Sequence, residues 1–298
     1  MVFIGALLWS LNSPLVKFLT IDSVFICGFR SVIAAVTLAA FIRPKRLKWN
    51  LWMLVYVVSY AALCLSVVLA LSMTSAPIAI GMQYTATIWL FLVALLQTKK
   101  FRMRAFIPVC VIIAGVIFFM MSGTDTSNTW GNLIALSEGV FFALMTVSSK
   151  KVAGTNAIGL VAIGNVFTGL AVFVIFPHAI SEFSAMTGTD WIVMLILGAV
   201  QVGGGYGFYT MGLQKVSPEK ASIIALWEMI LGPVWVALFL KEYPSVPVII
   251  GFVIILIGMV LDSTINAPSK NKEALLEQIE AAANVTAEKT KEGIRQEK

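Results

Sequence analysis

Charge, histidine and nucleotide-binding motifs are all scarce in this sequence, and each shortage removes a class of protein. Only 12% of its 298 residues are charged while 59% are apolar, and the mean hydropathy is +0.93, which excludes an ordinary soluble domain. His178 is the single histidine, and Cys27, Cys64 and Cys110 are odd in number and lack ligand spacing, so neither a metal centre nor a disulfide framework is expected. No GxxxxGK[ST] loop is present, so ATP hydrolysis is not encoded, and no cofactor is expected. With one histidine and scattered acids, the clustered motifs of an intramembrane lipid-modifying enzyme are missing as well, and the chain reads as a non-enzyme.

What the sequence has instead is apolar length. Ten stretches lie near residues 2–20, 24–42, 51–73, 77–97, 105–123, 130–150, 157–176, 190–213, 219–240 and 246–265. About 20 residues at 1.5 Å per residue cover roughly 30 Å, the depth of the hydrocarbon core, so each stretch is long enough for a transmembrane helix. Polar punctuation separates them, as at Arg43-Pro44-Lys45-Arg46, Thr98-Lys99-Lys100, Thr124 to Asn128 and Glu242-Tyr243-Pro244. The first stretch has no basic leader and no small-residue cleavage site and carries Lys17, so it reads as a helix rather than a signal peptide. Trp49, Trp52, Trp130 and Trp191 at stretch ends read as interface anchors.

Basic residues orient the chain. Arg43, Lys45, Arg46, Lys48, Lys99, Lys100, Arg102, Arg104, Lys150, Lys151, Lys215 and Lys220 all fall on one side if both termini are cytoplasmic; only Lys17 and Lys241 lie close to the membrane on the other. The net charge of +6 is therefore largely a topology signal, and confinement of these residues to short loops argues against nucleic-acid binding.

The two halves resemble each other. Gly5-Ala6-Leu7-Leu8 and Lys17 register with Gly139-Val140-Phe141-Phe142 and Lys151, Ser75-Ala76-Pro77 with Val216-Ser217-Pro218, and Gly115 with Gly258. Five crossings per half is odd, so the second half enters the membrane from the opposite side. The expected fold is an all-α polytopic membrane protein with ten transmembrane helices in two inverted five-helix repeats, residues 1–124 and 125–266, followed by a charged cytoplasmic tail, 267–298. That tail holds six Lys/Arg and six Glu with a short apolar stripe at Leu275, Leu276 and Ile279.

Leu8-Trp9-Ser10 followed by Lys17, Phe29-Arg30, Trp130-Gly131-Asn132-Leu133, and the run from Gly212-Leu213-Gln214-Lys215-Val216-Ser217-Pro218 through Trp227-Glu228 and Gly232-Pro233 to Lys241-Glu242 give residues 2–266 a resemblance to the drug/metabolite transporter superfamily, specifically its EamA-type ten-helix members. The first half departs from the family pattern at its fourth stretch, where Tyr84-Thr85-Ala86 and Gln97-Thr98-Lys99 stand. The resemblance implies intertwined halves around a central cavity that carries small organic solutes, in a prokaryotic inner or plasma membrane.

Ionisable groups inside a bilayer cost on the order of 3 kcal/mol at a helix centre unless paired or hydrated, so they mark candidate sites. Glu228, about nine residues into its stretch, is the deepest, suited to bind an amine or a proton. Lys17, Arg30 and Glu138 fall at one depth and suggest a single gating or ion network. Trp9, Asn12, Gln83, Tyr84, Gln201, Tyr206 and Trp227 join Glu228 as the candidate solute pathway; Asn165 reads as peripheral interhelical glue, and Gly203-Gly204-Gly205 as close helix packing.

The expected function is secondary active transport of a small metabolite, amino-acid-like and exported, by alternating access. Multidrug efflux of cationic compounds is the alternative. Expected partners are the solute, the lipid bilayer and, among coupling ions, protons; monomer and dimer both stay open.

Overall fold

The computed structural model describes residues 1–39, 42, 47–122, 129–152, 156–213 and 218–265, and every regular element among them is helical. They are α1 (Val2–Ser10), α2 (Asn12–Phe18), α3 (Ser23–Leu38), α4 (Leu51–Met73), α5 (Ala76–Gln83), α6 (Ala86–Thr98), α7 (Met103–Ser122), α8 (Thr129–Val152) and α9 (Ala157–Ile175). A 3-10 helix (Pro177–Ser184) leads to α10 (Gly188–Leu195), a π-helix (Ile196–Gly204) and α11 (Gly205–Leu213), then α12 (Pro218–Leu240) and α13 (Val246–Ile265). The Arg43, Lys45, Arg46 and Lys215 positions, the 124–128 connection, motif residues 214–217 and the 267–298 tail lie outside the described residues.

Seven helical stretches are long and apolar enough to cross a membrane; Val2–Phe18, Ser23–Leu38 and Ile224–Leu240 are apolar but shorter. Ser23–Leu38 has 16 residues, about 24 Å of rise, so it crosses the hydrocarbon core only where the bilayer thins around it or flanking residues reach to the interface. The first expected span is two helices joined at Leu11, and the fourth is interrupted at Tyr84 and Thr85. Pro14, three residues past the first break, has no N–H to donate to the Ser10 carbonyl, which frees the backbone there to change course; Pro77 sits instead in the first turn of α5, where no N–H is needed.

Local chemistry sets the helix ends. Asp22, Asn50 and Asn156 accept hydrogen bonds from the amides of Phe25, Trp52 and Gly159, which satisfies amides that have no intrahelical partner. Thr187 and Asp190 form a capping box at the start of α10. Lys99 and Lys241 adopt left-handed backbone angles, φ 51° and 57°, and terminate α6 and α12 at matching places in the two halves of the sequence.

Most of the strong helix contacts run between the two halves of the sequence. α4 packs on α8, and α1 on α11; α12 packs on α1, and α5 and α6 on α8; the π-helix packs on α3, and α9 on α4. α3 also packs on α9, α7 on α13 and α5 on α12. In the α7–α13 contact a side chain on Gly115 would meet the Gly251 carbonyl oxygen at 2.8 Å, so only glycine lets these backbones approach. The largest core joins α2, α3, α4, α5 and α12 through residues such as Phe25, Leu71, Met82 and Met229.

Candidate functional site

The middle of the bundle contains a cavity of about 460 Å³. The breaks in the first and fourth spans both open onto it. Trp9 and Asn12 flank the Leu11 turn, and Gln83 and Tyr84 end α5, so the chain interruptions present side chains and backbone to the cavity instead of to the next helical turn. Gln201 comes from the π-helix, whose wider winding often marks functional positions. It donates from Nε2 to the Trp9 carbonyl at 3.4 Å. Trp9 packs edge-on to Tyr206 at 4.9 Å between ring centroids and against Tyr209 at 4.7 Å. A side chain on Gly205 would overlap the Trp9 ring, so this glycine makes room for the indole.

Charges of both signs border the same space, Arg30 against the acids Glu228 and Asp262. Glu228 reaches it from α12 and Arg30 from α3. Arg30 is only 6% exposed. It donates to Asn12 Oδ1 at 2.6 Å and to the Cys64 carbonyl oxygen at 3.3 Å, two uses of a guanidinium that has five N–H donors.

The expected network of Lys17, Arg30 and Glu138 does not form. Lys17 Nζ instead pairs with Glu242 Oε2 at 2.8 Å, Arg30 turns to Asn12 and Cys64, and Glu138 is fully buried with neither carboxyl oxygen hydrogen-bonded. Equal depth does not place side chains on facing sides of their helices, and rotation about each axis separates these three. Trp227 also lies away from the cavity: it is 45% exposed and packs edge-on to Phe3 at 5.9 Å. Asn165, expected at the periphery, is buried, lines the cavity and donates from Nδ2 to the Tyr60 hydroxyl oxygen at 2.8 Å. Tyr60 and Tyr209 join the lining, as do Cys64, Asp262 and Ser263, which sequence reasoning did not place in the pathway.

The cavity adjoins a groove at one end of the bundle. This groove, of about 240 Å³, shares Thr87, Leu90 and Asp262 with it and continues to Lys100 and Arg102 between α6 and α7. At the other end a separate recess of about 400 Å³ is lined by Lys17, Thr74 and Glu242 and shares no residue with the cavity. Thr74 Oγ1 donates to Asn132 Oδ1 at 2.6 Å there, tying α4 to α8 beside the Lys17–Glu242 pair.

The site is thus a partly charged cavity between broken apolar helices. Residues 129–264 match the EamA-like transporter family. Its members are membrane transporters of small molecules, within the drug/metabolite transporter superfamily. The match and the apolar helices together mark an integral membrane protein. A comparison with curated proteins finds no match. One solved protein crystal structure is similar with a TM-score of 0.60 at 15% identity, covering 90% of this chain and 97% of its own, so the likeness in fold extends well beyond the EamA-matched segment.

Proposed function

We propose that the chain is a secondary active transporter for an amino-acid-like zwitterion. One observation carries this reading: Arg30 and Glu228 border a single cavity whose wall combines aromatic, amide and aliphatic side chains with a second acid, Asp262. A solute carboxylate would be drawn to the Arg30 guanidinium and its ammonium to Glu228, while Trp9, Tyr206 and Tyr209 pack the side chain. Opposite charges at the two sites favour a solute that is itself dipolar, and Arg30 disfavours the purely cationic compounds of the multidrug reading.

Ten spans in two inverted halves, residues 1–124 and 125–266, would then rock about the cavity. The helix contacts between the halves and the paired left-handed ends at Lys99 and Lys241 support that repeat. In this reading both termini are cytoplasmic, the cavity is open to the cytoplasm, and the Lys17–Glu242 pair is the closed outer gate. Cytoplasmic loading suits net export.

Counterflow in proteoliposomes tests the proposal, with labelled amino acids, purines, sugars and cationic dyes offered to purified protein. Saturable exchange confined to amino acids is the expected result; movement of the dyes alone would replace it with drug efflux.

A further inference from the structure

Glu138 is a buried carboxyl that the solute cavity does not explain. It sits on α8 with 0% exposure, and neither carboxyl oxygen has a hydrogen-bond partner. It is not sealed in hydrocarbon, however. A gap of about 20 Å³ lies where α1, α2, α4, α5, α8 and α12 meet, and Glu138 and Glu228 both line it. This volume holds about one water molecule. The gap shares Trp9, Asn12, Gln83 and Glu228 with the solute cavity, so Glu228 stands at the boundary of the two spaces.

The lining limits what can occupy this junction. α1 and α2 contribute Trp9, Ser10, Asn12 and Ser13, α4 contributes Val67 and Leu71, and α5 contributes Ala79, Ile80 and Gln83. None is charged, so Glu228 is the only other ionisable group on the lining. A metal cation such as sodium needs several oxygen ligands around it. Here Ser10 Oγ already donates to the Leu7 carbonyl oxygen at 2.7 Å and accepts from Trp235 Nε1 at 3.0 Å, and Asn12 Oδ1 accepts from Arg30. The gap has the size of one water, and a proton needs only a carboxyl and one water to move through.

We propose that Glu138 is a proton-binding site, and that its proton passes to Glu228 across the one-water gap when the solute cavity changes its access. In each step one carboxyl O–H bond breaks and one forms, the water receives one proton and gives up another, and no redox change occurs. The proposal rests on the transport reading for its purpose, since it supplies the coupling ion. Its geometry stands independently.

Infrared difference spectroscopy on the full chain in lipid reads the proton without a known solute. The wild type is expected to show a carboxylic-acid C=O band at neutral pH that is lost in Glu138→Gln and shifted in Glu228→Gln. Glu138→Asp, which withdraws the carboxyl by one methylene, is expected to shift the band too, and it serves if the glutamine variant fails to fold. A band identical in wild type and both Glu138 variants would overturn the proposal, as would a band that changes with sodium rather than with pH. Absent solute exchange with the Glu138 band in place overturns transport alone; normal exchange without a Glu138 band overturns the proton site alone.

Discussion

Lys17 at the end of α2 reaches Glu242, just beyond α12, with 2.8 Å between Nζ and Oε2. This pair ties the short second half of the broken first span to the far end of the helix that carries Glu228. Lys17 is mostly enclosed, at 11% side-chain exposure, whereas Glu242 is half-exposed at 49%. A pair this accessible stabilises by at most about 1 kcal/mol, so under the proposed function its importance lies in gating rather than in stability.

Glu242→Gln is therefore expected to leave folding nearly intact and to loosen that end. A cysteine placed at Ser75, in the recess beside the pair, should react faster with a membrane-impermeant thiol reagent in the Glu242→Gln background than in the wild type. Equal labelling rates would rule out a gating role.

Gly205 leaves no room for a methyl group next to Trp9. Gly205→Ala is expected to push the indole out of its place against Tyr206 and Tyr209, at a cost of about 1–3 kcal/mol from overpacking. A lowered Tm together with an altered tryptophan emission spectrum checks this. An unchanged spectrum would mean that the ring does not depend on this glycine.

Asn165 and Tyr60 connect α9 to α4 through a buried hydrogen bond. A double-mutant cycle with Asn165→Ala and Tyr60→Phe is expected to give a coupling near 0.6 kcal/mol, the average for such bonds inside membranes. Strict additivity in unfolding titrations would show that the bond adds nothing to the pairing of these helices.

Much of the cavity was legible in the sequence because polar groups are rare in apolar stretches and costly to leave facing lipid. Asn12, Gln83, Gln201 and Glu228 stood out for that reason, and all four line the cavity. Trp227 was chosen for its adjacency to Glu228, but neighbours on a helix point about 100° apart, and the indole faces outward onto Phe3. Lys17, Arg30 and Glu138 show the same limit. Depth can be counted along a sequence, whereas the partner of each charge depends on helix rotation and on segments far away, such as Glu242 for Lys17. The helical content and the positions of most spans followed from hydropathy alone. The turn at Leu11 was marked only by the nearby Pro14, a signal too general to locate a break, and the turn at Tyr84 and Thr85 by no proline at all.

The reading of the cavity as a site for a dipolar solute is tested most directly by equilibrium binding to the purified protein. An amino acid bound by wild type should lose at least about tenfold in affinity, roughly 1.4 kcal/mol, when its amine is acetylated or its carboxylate is removed. Glu228→Gln should erase the first discrimination and Arg30→Gln the second. If the decarboxylated amine or a cationic dye binds wild type more tightly than the parent amino acid, the dipolar reading is contradicted.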